Sequence, residues 1–503
     1  MKPIMKKVFT LLAATAIGAT TVPHTALLAQ AASSPEKVAA ALSQLTNQEI
    51  QAAIAELNKL GIMNGDANGE MGTNRPLTRA ELATLLVREF GLDDQSALPA
   101  TIADASPNAW FYADAAEVVG LGIMQTDNGA FHPKGTVSGE ELAQTVSKAL
   151  KRDIKSVQHW MSSVASPGNA MLRGETAYVL QMAHKALPSE HAKPTSIRSL
   201  NAITLIVTFD KPLTTANEAF DIAKTDFVFT HGLTLTNMPR LKTGSVATYI
   251  VPTSVQQTGA TYDLAYKGQA AGSFVGQGTK IDMTEARQVT NDTFEIEALK
   301  ANGIMDYGYI ISAYSGGRGA NAFVLDDHEQ AGGKTYQIIS SMQARQVTVT
   351  PEGGAPIVAK YVPFTQSTDG KQEPKFRLPE GQVLTPGLTY TVTSDWANLA
   401  HATFVAKTVE PLELASATAV SETSIEVTLA QDPQDELFSG RSVVLTAPNG
   451  DQTVATYKYS SRKGAVGVFD LANGAKLTKA TTYTVKPIGD WSKATGVVSL
   501  MPQ

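Results

Sequence analysis

Along the chain the hydrophobic period changes once. From residue 36 to 187 apolar positions recur every three or four residues, the spacing of one helix face. Beyond residue 195 short threonine- and valine-rich runs alternate apolar with polar and are broken by Gly, Pro, Asn and Asp, the pattern of strands and turns. The change falls at Pro188-Ser189-Glu190-His191-Ala192-Lys193-Pro194, so residues 188–195 are expected to link a helical part to a β-rich part.

The helical part repeats itself at an offset of about sixty residues. Leu60-Gly61-Ile62-Met63, Asn68-Gly69-Glu70-Met71 and Leu77-Thr78-Arg79-Ala80-Glu81-Leu82-Ala83 return as Leu121-Gly122-Ile123-Met124, Asn128-Gly129-Ala130-Phe131 and Val137-Ser138-Gly139-Glu140-Glu141-Leu142-Ala143. Each unit predicts two helices. The first, with apolar Ile50, Ile54 and Leu57, stops at Gly61, a residue suited to the left-handed conformation that closes helices. The second opens on a capping box, Thr78 with Glu81 and again Ser138 with Glu141, in which hydroxyl and carboxylate satisfy backbone amides that have no partner inside the helix. Its buried stripe is Leu82, Leu85, Leu86 and Phe90, matched by Leu142, Val146, Ala149 and Leu150. A third, shorter copy places His159-Trp160-Met161 in its first helix and Leu172-Arg173-Gly174-Glu175 at the box. Leu172 cannot cap, Glu175 keeps the acidic position, and the Gly-Ile loop is missing. The expected repeats span about 44–92, 101–151 and 154–187.

The β-rich part carries three openings of one kind, at Ile203 to Phe209, Phe294 to Glu297 and Ile425 to Leu429. Matching closing strands follow at Thr261-Tyr262-Asp263-Leu264, Thr389-Tyr390-Thr391-Val392 and Thr482-Tyr483-Thr484-Val485, the last two trailed by Asp395-Trp396 and Asp490-Trp491. Units at 196–285, 286–409 and 410–503 follow, of a size that suits antiparallel immunoglobulin-like sandwiches. The middle one, either one enlarged sandwich or two small ones, holds an extra Thr335-Tyr336-Gln337-Ile338 strand.

The ends and composition add a compartment. Lys2, Lys6 and Lys7 precede an apolar run from Val8 to Val22, and the small residues Ala29-Gln30-Ala31 follow, so residues 1–31 are expected to be a removed export signal; the run is shorter than the roughly 20 residues that span a bilayer. Its loss takes three lysines and no acid, moving the formal charge from −6 to −9, which argues against nucleic acid as a partner. With no cysteine, disulfides, thiolate metal sites and acylated anchors are excluded. The C-terminal residues show neither an apolar span nor a sorting signal, so no membrane insertion is expected and attachment must come from a binding module.

Little catalytic chemistry is legible. The eight histidines form no pair with metal-ligand spacing. Gly317-x-Gly319-x-x-Ala322 fits a dinucleotide loop only formally, because strand-like residues follow it, and Ala313 to Gly317 is a poor relative of a nucleophile elbow. Asp66-x-Asn68-Gly69 is too short for a calcium loop and reads as a turn. No cofactor, no metal and no enzymatic activity are expected.

Leu77-Thr78-Arg79-Ala80-Glu81, together with Trp110-Phe111-Tyr112-Ala113 and Gly122-Ile123 leading to Gly129-Ala130-Phe131-His132-Pro133, resembles the S-layer homology domain of bacterial surface proteins. The resemblance implies an all-α, pseudo-threefold bundle of three repeats ahead of the all-β part. It also implies non-covalent docking on a secondary cell-wall polysaccharide, typically pyruvylated, with the signature arginine on the acidic sugar. Arg79, expected to face solvent beside free amides of a helix N-terminus, is then the leading contact; Arg173 is the second, Trp110 a stacking platform, and Thr78 and Glu81 the cap behind them. Gly139 stands where the second repeat should carry its arginine. The whole reads as an S-layer or S-layer-like subunit that self-associates on the cell wall. A wall-anchored adhesin or accessory protein is the alternative, and an anchored polysaccharide hydrolase a more distant one.

Overall fold

A computed structural model of the chain describes residues 45–92, 100–164, 170–312, 322–363, 371–434, 438–494 and 496–502. The expected signal segment, the formal dinucleotide loop up to residue 321 and the elbow-like Ser315 lie outside them. No helix among the described residues is long and apolar enough to cross a membrane.

Among the described residues six α-helices build the first part: α1 (Asn47–Lys59), α2 (Arg79–Phe90), α3 (Tyr112–Gly120), α4 (Gly139–Leu150), α5 (Ile154–Trp160) and α6 (Arg173–Lys185). Local chemistry sets their limits. Thr46 and Glu49 form a capping box ahead of α1, and Thr78 and Glu81 form one ahead of α2. After α1 the chain turns on Gly61 at φ 74°, and α2 closes on Gly91 at φ 57°. Ala53, Ile54, Leu57, Leu82, Leu86, Leu142 and Val146 are buried in one core, with Ile50, Phe90, Ala149 and Leu150 packed half-buried at its edge. That core takes equivalent residues from successive repeats: Ile62, Met63 and Leu77 from the first, Ile123, Met124 and Val137 from the second, Met171 from the third.

Sheets follow. Pro194–Asn201, Thr204–Phe209, Thr248–Pro252 and Arg240–Leu241 pair in that order, and Phe227–Phe229, Thr261–Tyr266 and Gln269–Val275 form a second sheet. Between them lie Leu205, Val207, Phe209, Tyr249, Tyr262, Leu264 and Phe274. The simple in-and-out alternation expected of Thr204–Phe209 gives way to burial on both faces. Ile206 and Ile250 on its far side are covered by Met305 and Ile338, from a short parallel pair, Ile304–Asp306 with Gln337–Ile339, and by Ile310 and Ile311 just after it. The extra strand expected near residue 335 is thus the lid on a sheet that starts over a hundred residues earlier.

The segment at 188–195 is fastened at both ends. Ser189 N donates to Pro212 O and Lys193 N to Asp210 Oδ1, and the first strand already begins at Pro194. Farther on, Ile281–Gln288 runs across residue 285 into a nine-stranded sheet, antiparallel to Thr293–Leu299 and parallel to Ala397–His401. This sheet curls until Thr403–Val405 meets Ile281–Gln288 around Phe294, Phe376, Tyr390 and Trp396. An eight-stranded sheet from Leu412 to Leu500 encloses Phe438, Phe469, Tyr483 and Trp491.

One device recurs in all three closing strands. The hydroxyls of Tyr262, Tyr390 and Tyr483 accept the backbone N–H five residues upstream, from Gln257, Thr385 and Thr478, at 2.9, 2.8 and 3.0 Å. Trp396 and Trp491 likewise share a use, donating Nε1–H to the carbonyls of Gln346 and Ser442.

Candidate functional site

The three repeats meet through their backbones. Leu77 N donates to Met171 O at 2.9 Å, Met171 N to Val137 O at 2.8 Å, and Val137 N back to Leu77 O at 3.0 Å, a closed triangle with one equivalent residue from each repeat. Just outside it start α2, α4 and α6. The triangle therefore fixes what the starts of α2 and α6 face: the loop of the next repeat.

At the start of α2, Arg79 N donates to Gly135 O and Ala80 N to Pro133 O, both carbonyls of the second repeat's loop. At the start of α6, Arg173 N and Gly174 N donate to Arg75 O and Thr73 O of the first repeat's loop. The free amides expected behind Arg79 are therefore taken by neighbouring backbone.

The arginine side chains do the same work. Arg79 donates Nε–H to Phe131 O at 2.7 Å and an Nη2 hydrogen to Gln125 O at 2.6 Å, lies over the Phe131 ring and pairs with Glu141. Arg173 donates to Met71 O at 2.9 Å and Asn64 O at 2.7 Å and pairs with Glu81 at 3.2 Å. Met71 and Asn64 are the counterparts, one repeat back, of Phe131 and Gln125. Both guanidiniums are clamps between repeats. This corrects the expectation that Arg79 points to solvent: its side chain is 16% exposed and that of Arg173 8%. The cause is the ring itself, which carries the next repeat's carbonyls to within hydrogen-bond reach of the first helical residue.

The capping positions hold their expected places and gain partners. Thr78 Oγ1 accepts from Glu81 N, while Glu81 accepts from Thr78 N at 3.0 Å, from Arg75 and from Arg173. Burial pushes the Glu81 carboxyl up, but the hydrogen bonds from Arg75 and Thr78 outweigh it and hold the group down at about 2. Ser138 Oγ accepts from Glu141 N at 3.1 Å, and Glu141 turns to Arg79. Glu175 accepts from Leu172 N at 2.9 Å. Gly139 brings no fork to the third junction, and the third repeat brings no Gly-Ile loop for a fork to hold; the two absences coincide at one place.

Trp110, next to Phe111 ahead of α3, is 67% exposed. It stands apart from the core, open to a flat ligand. Sequence reasoning missed Arg75, half-exposed on Glu81. It belongs to neither the repeated motif nor a helix period, so no local signal marks it.

A family model described as the S-layer homology domain matches residues 48–83 and 101–143. The chain carries S-layer homology repeats. The third repeat lies outside the matched residues. The chain is 27% identical over 196 residues to a "Middle cell wall protein" of Brevibacillus brevis, covering 36% of this chain and 18% of that protein. It is 28% identical over 172 residues to a "Surface layer protein" of Brevibacillus choshinensis, covering 33% and 15%. It thus spans less than a fifth of the length of these relatives. With the S-layer homology match, they make it a cell-surface, S-layer-type protein of the cell wall. Among solved structures, domains 1–6 of the surface layer protein SbsC align over 93% of this chain and 73% of that one at 13% identity and a TM-score of 0.15. A pullulanase from Anoxybacillus sp. LM18-11 aligns over 41% and 24% at 7% identity and a TM-score of 0.14. Superpositions this loose carry no argument for fold or activity.

Proposed function

We propose that the helical bundle, residues 36–187, holds the protein non-covalently on a secondary cell-wall polysaccharide, and that the β-rich units from Pro194 onward project from it and contact neighbouring copies in a surface array. Export through residues 1–31 belongs to the same reading. The observation that carries it is the closed backbone triangle of three repeats in a chain whose first two match the S-layer homology domain. Trp110 supplies the exposed ring on which a saccharide can stack. Arg79, Arg173, Thr78 and Glu81 act in this site by shaping the grooves between repeats. A pyruvylated sugar suits a positively lined groove because a carboxylate matches a guanidinium fork.

For the β-rich units the immunoglobulin-like assignment is supported by the tyrosine hydroxyls that bond five residues upstream and by the buried tryptophans, both found in sandwiches of that class. The role is structural and not enzymatic. To test anchoring, the whole chain from residue 32 is sedimented with purified walls before and after removal of the secondary polymer. Retention is expected only on untreated walls, and equal retention on stripped walls rejects the reading. Sheet formation by the purified chain is the expected sign of the array; a monomer at high concentration would favour an adhesin.

A further inference from the structure

The three junctions between repeats have the same backbone but not the same charge. Where the first repeat meets the second, Arg79 faces Glu141 and the pair is balanced. Where the second meets the third, Glu175 has no arginine opposite it, because Gly139 occupies that place. Where the third meets the first, two guanidiniums, Arg173 and Arg75, converge on one carboxylate, Glu81. Asp66, the other acid that acts on Arg75, already accepts the backbone N–H groups of Asn68 and Glu70.

Arg75 is the exposed member of that pair. Its side chain is 49% open, against 8% for Arg173. It meets Glu81 end-on, through both terminal nitrogens, and Nη1 also reaches Pro76 O at 3.4 Å. A guanidinium carries five N–H donors in a planar fork. End-on pairing leaves Nε–H and the second Nη2 hydrogen, which share one edge and have no partner among the described residues. Gly72, at φ 59°, keeps a side chain away from that edge: a Cβ there would come within 2.6 Å of Nε. Gly135, the counterpart of Arg75 in the second repeat, has no such donor.

We propose that Arg75 is the specificity-determining cation of the bundle, and that its free edge takes a pair of oxygens from an acidic wall polymer at the junction of the third and first repeats. The ligand chemistry is an oxyanion, a sugar carboxylate or a phosphodiester. The inference rests on the anchoring reading and adds to it which junction selects charge.

The test uses the whole chain from residue 32 and purified walls. Arg75→Gln is expected to weaken retention about tenfold and to flatten its salt dependence, with the bundle still folded and its melting temperature only modestly lowered, because Thr78 and Arg173 still hold Glu81. Arg75→Lys, which keeps the charge but loses the two-pronged edge, is expected to fall between, and it decides the matter should Arg75→Gln fail to fold. Lys134→Gln, an exposed change at the neighbouring junction, is expected to bind like the unaltered chain. Walls whose carboxylates have been reduced and walls freed of phosphodiester polymer separate the two sources: the treatment that erases the difference between Arg75→Gln and the unaltered chain names the ligand. Equal retention of folded Arg75→Gln or Arg75→Lys and the unaltered chain overturns the role of Arg75 while anchoring stands. Failure of the unaltered chain to bind any wall removes both.

Discussion

Arg79 shows how a residue can be found by sequence and misjudged in use. Its donors go to carbonyls 46 and 52 residues away and its charge to Glu141, so Arg79→Ala strips a clamp from a site that is mostly buried. A loss of about 2 to 3 kcal/mol is expected, the scale for deleting charge-assisted hydrogen bonds. Hydrogen exchange of the α2 amides checks it; protection equal to that of the unaltered chain would show the clamp to be expendable. Glu89 makes a second case. Its carboxyl has no solvent exposure, one oxygen lies 3.0 Å from His184 Nδ1, and burial pushes its pKa up to about 8. Lys211 and Glu56 act on it weakly and in opposite directions. The folded chain therefore keeps a proton that the unfolded chain releases near 4.5, so the contribution of Glu89 is whole below pH 4.5 and is lost as pH rises through about 8. Burial lowers the His184 pKa, and that contribution runs the other way, lost as pH falls below the ordinary histidine value. Glu89→Gln should raise the melting temperature most at pH 8 to 9 and least near pH 5; a gain independent of pH would contradict the buried-proton account.

At the scale of elements, what the chain made legible was what neighbouring residues decide. Capping boxes and helix stripes depend on partners three or four positions away: Thr78 with Glu81 and the Leu82 to Leu86 face appear where the pattern places them, while of the second box only the Ser138 hydroxyl cap forms, because Glu141 is drawn to Arg79. Two features escaped that reasoning because their partners are remote. Thr204–Phe209 is buried on both faces because residues 305–311 and Ile338 pack over it. The loop carbonyls that engage Arg173 come from more than a hundred residues upstream. The closing strands lie between these extremes: Thr-Tyr-x-Val marks a strand, yet what the tyrosine does is set by the turn before it. Tyr390→Phe and Tyr483→Phe each leave a backbone N–H without its acceptor at almost constant volume. Each should cost about 1 kcal/mol in urea unfolding of the β-rich part; no change in midpoint would mean that water replaces the hydroxyl.

For the molecule as a whole, the decisive contact is the seam between the bundle and the first sheets. A loop from the first β-rich unit is set into the bundle: Trp160 Nε1 donates to Gly244 O and Gly244 N to Ser156 Oγ, both at 2.8 Å, while Arg152 reaches Val246 O at 3.2 Å. Val246 packs against the cores on both sides, and Lys211 donates to His184 O at the end of α6. Arg152 and Trp160 are each 4% exposed, so separating the two parts would uncover a guanidinium and an indole together with the polar partners they now satisfy. A bundle built this way transmits a pull on the sheets directly to the repeats. It follows that helices and first sheets should unfold together in the whole chain. Trp160→Ala, which removes the indole from the seam and leaves Gly244 O without its donor, should part them into two transitions, the helical signal at 222 nm falling first on heating. If the variant still melts in a single step at the original temperature, the seam is only a resting contact and the sheets are free to swing on the bundle.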